Sequence, residues 1–78
     1  MNVLGRLQEI FRDIVDDEDL VLTMATSPDD VAEWDSLAHI NIIIACETEF
    51  GIKFDLSDIT IIKDVRDIVD AVERKLAT

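Results

Sequence analysis

The sequence has few of the side chains from which covalent frameworks, metal centres and active sites are built. It contains one cysteine, Cys46, and one histidine, His39. A single cysteine excludes an internal disulfide, and with one histidine it cannot form a zinc site, so a reducing cytoplasm is the expected compartment. One histidine, one cysteine and scattered acids cannot assemble an active site in which a nucleophile lies beside a pair of titratable groups. We therefore expect neither an enzyme nor a metal site.

Positive charge is absent from the middle of the chain. No Lys or Arg lies between Arg12 and Lys53, whereas the acids there account for the whole net charge of −11. Such a surface should repel nucleic acid and anionic membranes and attract basic protein surfaces. The alternative from charge alone is that the acidity only keeps a small protein in solution.

Glycine, proline and long apolar runs are also scarce. The sequence has two Gly and one Pro, and no stretch approaches the length of a membrane span, so we expect no membrane insertion. The N-terminus has no long apolar run behind a basic start, so we expect no signal peptide. With 49% hydrophobic residues in 78, the composition is typical of one compact helical domain over residues 1–78. We expect it to be a monomer.

Two segments show the apolar spacing of an amphipathic α-helix. The first runs from Val3 to Val15 with Asn2 as its N-cap, and the last runs from Asp64, its N-cap, to Leu76. Each repeats its apolar residues at steps of three and four. We expect both helices to turn one face toward the core.

Two further helices are predicted between them. A long one begins at Asp35 or Ser36 and stops at Gly51, which provides a left-handed C-terminal residue. Its run Ile42–Ile44 could also be a strand, but no second strand is available to pair with it. A short helical turn follows at Asp55–Ile59 with Asp55 as its cap. The prediction is an all-α four-helix bundle of three longer helices and a short one.

The segment from Asp16 to Asp35 has no sustained periodicity. A loop of this length in so small a domain is expected to be ordered for a functional reason. Ser27–Asp30 resembles the start of one helical turn. Apolar residues that could anchor the loop on the bundle are Leu20, Leu22, Met24, Val31 and Trp34.

The long middle helix has apolar residues on more than one side. At about 100° per residue, Leu37 and Ile44 fall away from the face that we predict to be buried. An exposed apolar pair beside an acidic loop is typical of a docking surface. The alternative is that the short helix covers the pair. The predicted core face consists of His39, Ile40, Ile43, Cys46 and Phe50.

The layout of motifs resembles the acyl carrier protein family over essentially the entire chain. Asp35-Ser36-Leu37 opens an apolar helix, and Phe50-Gly51-Ile52 follows fourteen residues after the serine. A long acidic loop precedes this helix, and a short helix and an amphipathic helix follow it. The resemblance implies the acyl-carrier type of four-helix bundle.

The resemblance also implies a cofactor and its point of attachment. In this family a phosphopantetheinyl transferase uses coenzyme A to attach 4'-phosphopantetheine to the motif serine, which matches Ser36. The arm holds acyl intermediates as thioesters and presents them to enzymes of fatty acid, polyketide or related lipid and secondary-metabolite biosynthesis. Asp35 would contribute to transferase recognition. The alternative is that Asp35 and Ser36 only cap the helix.

Further roles follow from the same resemblance. Partner enzymes that load or transfer acyl groups, with basic docking surfaces, would contact Leu37 and Ile44 and the acids Asp30, Glu33 and Glu47. The bundle interior could shelter a short acyl chain, although an ordinary core would use the same residues. The residues predicted to line that pocket are Ile40, Cys46, Ile59 and Ile62.

Some positions depart from the family pattern. Ala38, His39 and Asn41 stand where carriers of fatty acid synthesis are often acidic, so docking should depend more on the loop and on apolar contact. The resulting hypothesis is that the protein serves a specialised pathway and not general fatty acid synthesis. Glu33-Trp34-Asp35-Ser36-Leu37 differs from the Gly-Gly-x-Ser-Leu of aminoacyl and peptidyl carriers, which are one alternative. A non-carrier acidic helical adaptor is the other.

Overall fold

The computed structural model describes residues 2–77, and the helices within them match the predicted order. They are α1 (Val3–Val15), α2 (Ser36–Phe50), α3 (Leu56–Thr60) and α4 (Val65–Leu76). The prediction of an all-α bundle with three longer helices and one short helix is confirmed. Ile42–Ile44 lies inside α2, so the strand interpretation is wrong.

Side chains cap the three longer helices at the predicted positions. Asp35, and not Ser36, is the N-cap of α2, which makes Ser36 the first helical residue. Gly51 ends α2 at φ +66°, a left-handed conformation that a side chain would strain. The capping side chains of Asn2, Asp35 and Asp64 accept the N–H groups of Gly5, Ala38 and Asp67 at 2.9, 2.9 and 3.0 Å.

The core forms where α1, α2 and α4 meet. Trp34 extends it from the loop, because its ring packs against that of Phe11 in a T-shaped arrangement with 4.9 Å between centroids. Burying a large apolar side chain stabilises a fold by about 1.5–3 kcal/mol, so this contact helps to fix the loop just before α2. The largest fully buried side chains are Leu7, Phe11, Ile42, Cys46, Val65, Ile68 and Val72.

The long loop between α1 and α2 is held against the bundle by its apolar residues, as predicted. Hydrogen bonds that were not predicted also hold it on both sides. On the α1 side, the carbonyl of Leu20 accepts from Arg12 Nε at 2.7 Å and the N–H of Leu22 donates to Gln8 Oε1 at 3.0 Å. On the α4 side, the carbonyls of Met24 and Thr26 accept the N–H groups of Arg66 and Val65 at 3.1 and 2.8 Å. The loop is thus tied to two helices that are far apart in sequence.

The short helix α3 is anchored to α4 by charge. The Asp58 carboxylate lies 2.9 Å from Lys75 Nζ and 3.3 Å from a guanidinium nitrogen of Arg74. It also accepts the N–H of Asp55 at 2.8 Å, the N-cap residue of α3. One side chain therefore both caps α3 and attaches it to the last turn of α4.

The buried face of α2 differs from the predicted one, because it includes Ala38 and Ile42 and leaves out Ile40. Ile40 was expected on the core face, yet 54% of it is exposed, while Ile42 is fully buried. Isoleucine occupies positions 40, 42, 43 and 44, so the sequence contains two possible apolar faces. Packing against α1 and α4 selects the face that contains Ile42, and the placement of Ile40 in the core is wrong.

Candidate functional site

Ser36 lies exposed at the N-terminus of α2. The Asp35 carboxylate precedes it and accepts the N–H of Ala38, which fixes the first turn of the helix. The aligned peptide dipoles give this end of a helix a partial positive charge, which favours a phosphate group. The hydroxyl is therefore both accessible and placed where a phosphodiester would be stabilised.

An open cleft of about 510 Å³ adjoins Ser36. Three parts of the chain form it: the end of the long loop, the first turns of α2, and the segment between α3 and α4. It combines apolar walls with one ammonium group. The lining residues are Pro28, Trp34, Asp35, Ser36, His39, Ile40, Ile62 and Lys63.

Trp34 and His39 form a pair in the wall of this cleft. Trp34 Nε1–H donates to His39 Nδ1 at 3.0 Å, and the two rings lie within 20° of parallel with centroids 6.0 Å apart. Burial lowers the pKa of His39 below its usual 6.5. Because Nδ1 accepts a hydrogen bond, the proton of the neutral imidazole is on Nε2. The contact between these two residues could not be read from their positions in the sequence.

The predicted apolar pair on α2 is exposed, and Ile40 extends it. Leu37 is 68% exposed and Ile44 54% exposed, so the alternative that α3 covers them is wrong. Ile40 lies three residues after Leu37 and four before Ile44, a spacing that places all three on one side of the helix. We call Leu37, Ile40 and Ile44 the apolar stripe. The spacing of three and four residues was visible in the sequence and could have identified Ile40 as part of the stripe.

The acids predicted to surround the stripe differ in their surroundings. Glu33 and Asp30 are exposed, and the Asp30 carboxylate accepts the N–H of Ser27 at 3.0 Å within a turn. Glu47 is half-buried and accepts the N–H of Phe54 at 2.9 Å. It therefore holds the chain just beyond α2, while Asp30 and Glu33 present their charge in the loop.

Only two of the four residues predicted to form an acyl pocket line the cleft beside Ser36. Ile40 and Ile62 line the cleft beside Ser36, whereas Cys46 and Ile59 are not part of its lining. Cys46 is fully buried between the helices. Burial, with smaller contributions from the charges of Glu47 and Glu49, raises the pKa of its thiol to about 12.

Two negative observations apply to residues 2–77. Within them, no group of three or more His, Cys, Asp or Glu side chains is arranged to hold a metal ion. None of the helices there has the length and apolar character that crossing a membrane requires.

Similarity to known proteins identifies the family to which this chain belongs. No family model matches the chain. The acyl carrier protein of Coprothermobacter proteolyticus is 30% identical over 97% of this chain and 93% of that protein, and that of Thermotoga maritima is 40% identical over 77% and 73%. The solution structure of the holo acyl carrier protein from Geobacter metallireducens superposes with a TM-score of 0.90 at 44% identity, over 99% of this chain and 88% of that one. With the predicted fold and an exposed serine at the start of α2, this chain belongs to the acyl carrier protein family, whose members are carriers and not enzymes.

Proposed function

We propose that this protein carries acyl groups as thioesters on a 4'-phosphopantetheine arm esterified to Ser36. The observation that carries the proposal is the position of Ser36, exposed as the first residue of α2 directly after its Asp35 cap. This is the serine that matches the attachment motif of the family. The chemistry of the arm is that of its terminal thiol, and the chain supplies the hydroxyl to which the arm is joined.

The surroundings of Ser36 fit such a group. The positive end of α2 favours the phosphodiester, and the ammonium of Lys63 lines the same cleft. Asp35 is exposed, so it can be recognised by a phosphopantetheinyl transferase while one of its oxygens caps the helix.

Docking of the enzymes that load and use the acyl group is assigned to the apolar stripe and the acidic loop. The stripe offers an apolar centre, and Asp30 and Glu33 add negative charge that would attract a basic partner surface. The first turn of α2 contains no acid. That favours a specialised polyketide or lipid pathway over general fatty acid synthesis.

Intact mass spectrometry tests the attachment. The protein is incubated with coenzyme A, Mg²⁺ and a broad-specificity phosphopantetheinyl transferase, and should gain the mass of one phosphopantetheine. Ser36→Ala should gain nothing. Ser57→Ala is the matched control, because Ser57 is also an exposed serine in the first turn of a helix, α3. It should be modified as completely as the original protein.

Two results would contradict the proposal. If several transferases leave the original protein unmodified, the chain is an adaptor without an arm. If Ser36→Ala still gains the group, the attachment site lies elsewhere.

A further inference from the structure

Ser36 lies in the part of α2 that is least secured by the helix itself. The N–H groups in the first turn of a helix have no acceptors within the helix, so this turn frays unless other groups hold it. The Asp35 carboxylate accepts one of these N–H groups, that of Ala38, at 2.9 Å. Ser36 and Leu37 are exposed, so their side chains cannot hold the turn against the core. The position of the serine hydroxyl therefore depends on the residues on either side of it.

Trp34, two residues before Ser36, is fixed in the core. Only 5% of its surface is exposed, and its ring packs against that of Phe11 with 4.9 Å between centroids. Its backbone N–H donates to the carbonyl of Val31 at 3.0 Å. Trp34 is therefore a fixed point from which the start of α2 can be held.

His39, three residues after Ser36, connects the first turn of α2 to this point. Its Nδ1 accepts the indole N–H of Trp34 at 3.0 Å, and its backbone N–H donates to the carbonyl of Asp35 at 2.9 Å. The side-chain hydrogen bond joins residues that lie on either side of Ser36 in the chain. Because a buried donor without an acceptor is costly, this bond should persist in the folded protein.

We propose that the Trp34–His39 pair positions Ser36 for the transfer of phosphopantetheine from coenzyme A. In that transfer Ser36 Oγ forms a bond to the phosphorus that bears the pantetheine. The bond between this phosphorus and the bridging oxygen of the diphosphate breaks, adenosine bisphosphate leaves, and the serine proton passes to a base of the transferase. The inference rests on the proposed attachment to Ser36. Trp34 and His39 are positioning residues, because the buried indole acts on the serine only through the chain.

The kinetics of modification, followed by intact mass, test the pair. Trp34→Phe keeps an aromatic ring beside Phe11 but removes the indole donor, and His39→Leu removes the acceptor. Each should lower kcat/KM for the carrier as substrate roughly three- to tenfold, the effect of one hydrogen bond. Most of the loss should be in kcat, because a frayed first turn must be ordered before each transfer while the apolar stripe is unchanged. The double variant should lose no more than the single variants, since both remove the same bond.

Two further variants separate positioning from stability. His39→Asn places an amide oxygen near the position of Nδ1 and should retain most of the original kcat/KM. Gln8→Ala weakens the attachment of the long loop to α1, outside the cleft lining, and should leave kcat/KM unchanged. In the apo protein, nuclear magnetic resonance should show faster exchange of the Trp34 indole proton with water in His39→Leu than in the original protein or His39→Asn. If Trp34→Phe does not fold, the comparison of His39→Leu with His39→Asn decides.

The pH gives a second measure, because protonation of Nδ1 removes the acceptor. Burial lowers the pKa of His39 below its usual 6.5, so the bond is intact at neutral pH and is lost as the pH falls through the lowered pKa. Asp35 and Lys63 are the charged groups that line the cleft with this ring, and their opposite charges act on it in opposite directions. Between about pH 7.5 and about pH 5.5, kcat/KM of the original protein should fall relative to that of His39→Asn. The ratio of the two proteins cancels the pH dependence of the transferase.

The outcomes distinguish this inference from the attachment itself. If the original protein gains no phosphopantetheine, the attachment proposal has failed, and the inference that depends on it is overturned as well. If the original protein is modified at Ser36 and His39→Leu is modified equally fast, the attachment stands and the positioning role is overturned. Additive losses in the double variant, or an equal loss in Gln8→Ala, would also overturn it, because the two residues would then act separately or only through stability.

Discussion

At the scale of single residues, burial decides which groups can react. Cys46 is enclosed by the helices, and its thiol pKa of about 12 keeps it protonated at neutral pH. Since the thiolate is the reactive form, the chain has no competing thiol when an arm is present. A thioester would therefore form on the arm and not on the bundle.

This enclosure can be measured by counting thiols. Titration of the native holo protein with a disulfide reagent should detect one fast thiol, that of the arm, and the apo protein should show none. In denaturant the holo protein should show two, because Cys46 is then exposed. Rapid reaction of Cys46 in the native apo protein would mean that the bundle opens at this position.

His39 predicts a pH dependence of stability. Burial lowers its pKa in the folded state below the usual 6.5, so the unfolded chain takes up the proton first as the pH falls. This contribution to the free energy of unfolding is complete above about pH 7.5 and decreases as the pH falls through about 6.5. Protonation of Nδ1 would also remove the acceptor of the Trp34 hydrogen bond.

The test measures the midpoint of urea unfolding by circular dichroism at about pH 7.5 and about pH 5.5. At both pH values carboxylates remain largely ionised. Between the higher and the lower pH, the urea midpoint of the original protein should fall more than that of His39→Asn, which has no titrating ring at this position. Parallel changes in the two proteins would contradict a role for His39 in the pH dependence.

At the scale of elements, the sequence was most informative where the apolar pattern has a single solution. α1 and α4 each have a single apolar face and a clear N-cap, and the predicted bounds agree with the structure. The extent of α2 and most of its buried face were predicted, but Ile40 and Ile42 were not placed correctly, because neighbouring isoleucines offer two faces and contacts with other helices choose between them. The cleft could not be predicted for the same reason: Lys63 and His39 meet there only through tertiary packing.

The attachment of the long loop to α1 should have a measurable cost. Gln8→Ala removes the acceptor for the partly buried N–H of Leu22, and an unpaired group of this kind costs about 1–2 kcal/mol. Urea denaturation should show this loss. Glu9→Ala, next to it on α1, removes only an exposed ion pair with Arg12 and should change the free energy of unfolding by less than about 0.5 kcal/mol. Equal losses would mean that the loop is not held by Gln8.

The anchoring of α3 depends on one carboxylate. The hydrogen bond from the Asp55 backbone, and then that from Lys75, lower the pKa of Asp58. Asp58→Asn keeps an acceptor for Asp55 but loses the charge that attracts Lys75, so the melting temperature should fall by several degrees. Asp70→Asn removes a charge from an exposed position of α4 and serves as the control. A melting temperature that is unchanged in Asp58→Asn would show that the charge does not anchor α3.

At the scale of the whole molecule, the net charge of −11 on 78 residues opposes folding through self-repulsion. Salt screens this repulsion, with a Debye length of about 10 Å at 0.1 M. The melting temperature should therefore rise between about 20 mM and about 200 mM NaCl. A fall would mean that screening of the ion pairs, such as Lys75 with Asp58, outweighs the repulsion. Calorimetry at constant pH makes the comparison.

Trp34 has an optical consequence as well as a structural one. It is the only tryptophan, and the chain contains no tyrosine. Its indole touches Phe11 on the core side and donates its N–H to His39 on the cleft side. Indole emission depends on the polarity around the ring and on the hydrogen bond of its N–H. The protein thus contains its own fluorophore at the boundary between core and cleft, and unlabelled samples can report both unfolding and events at Ser36 in real time.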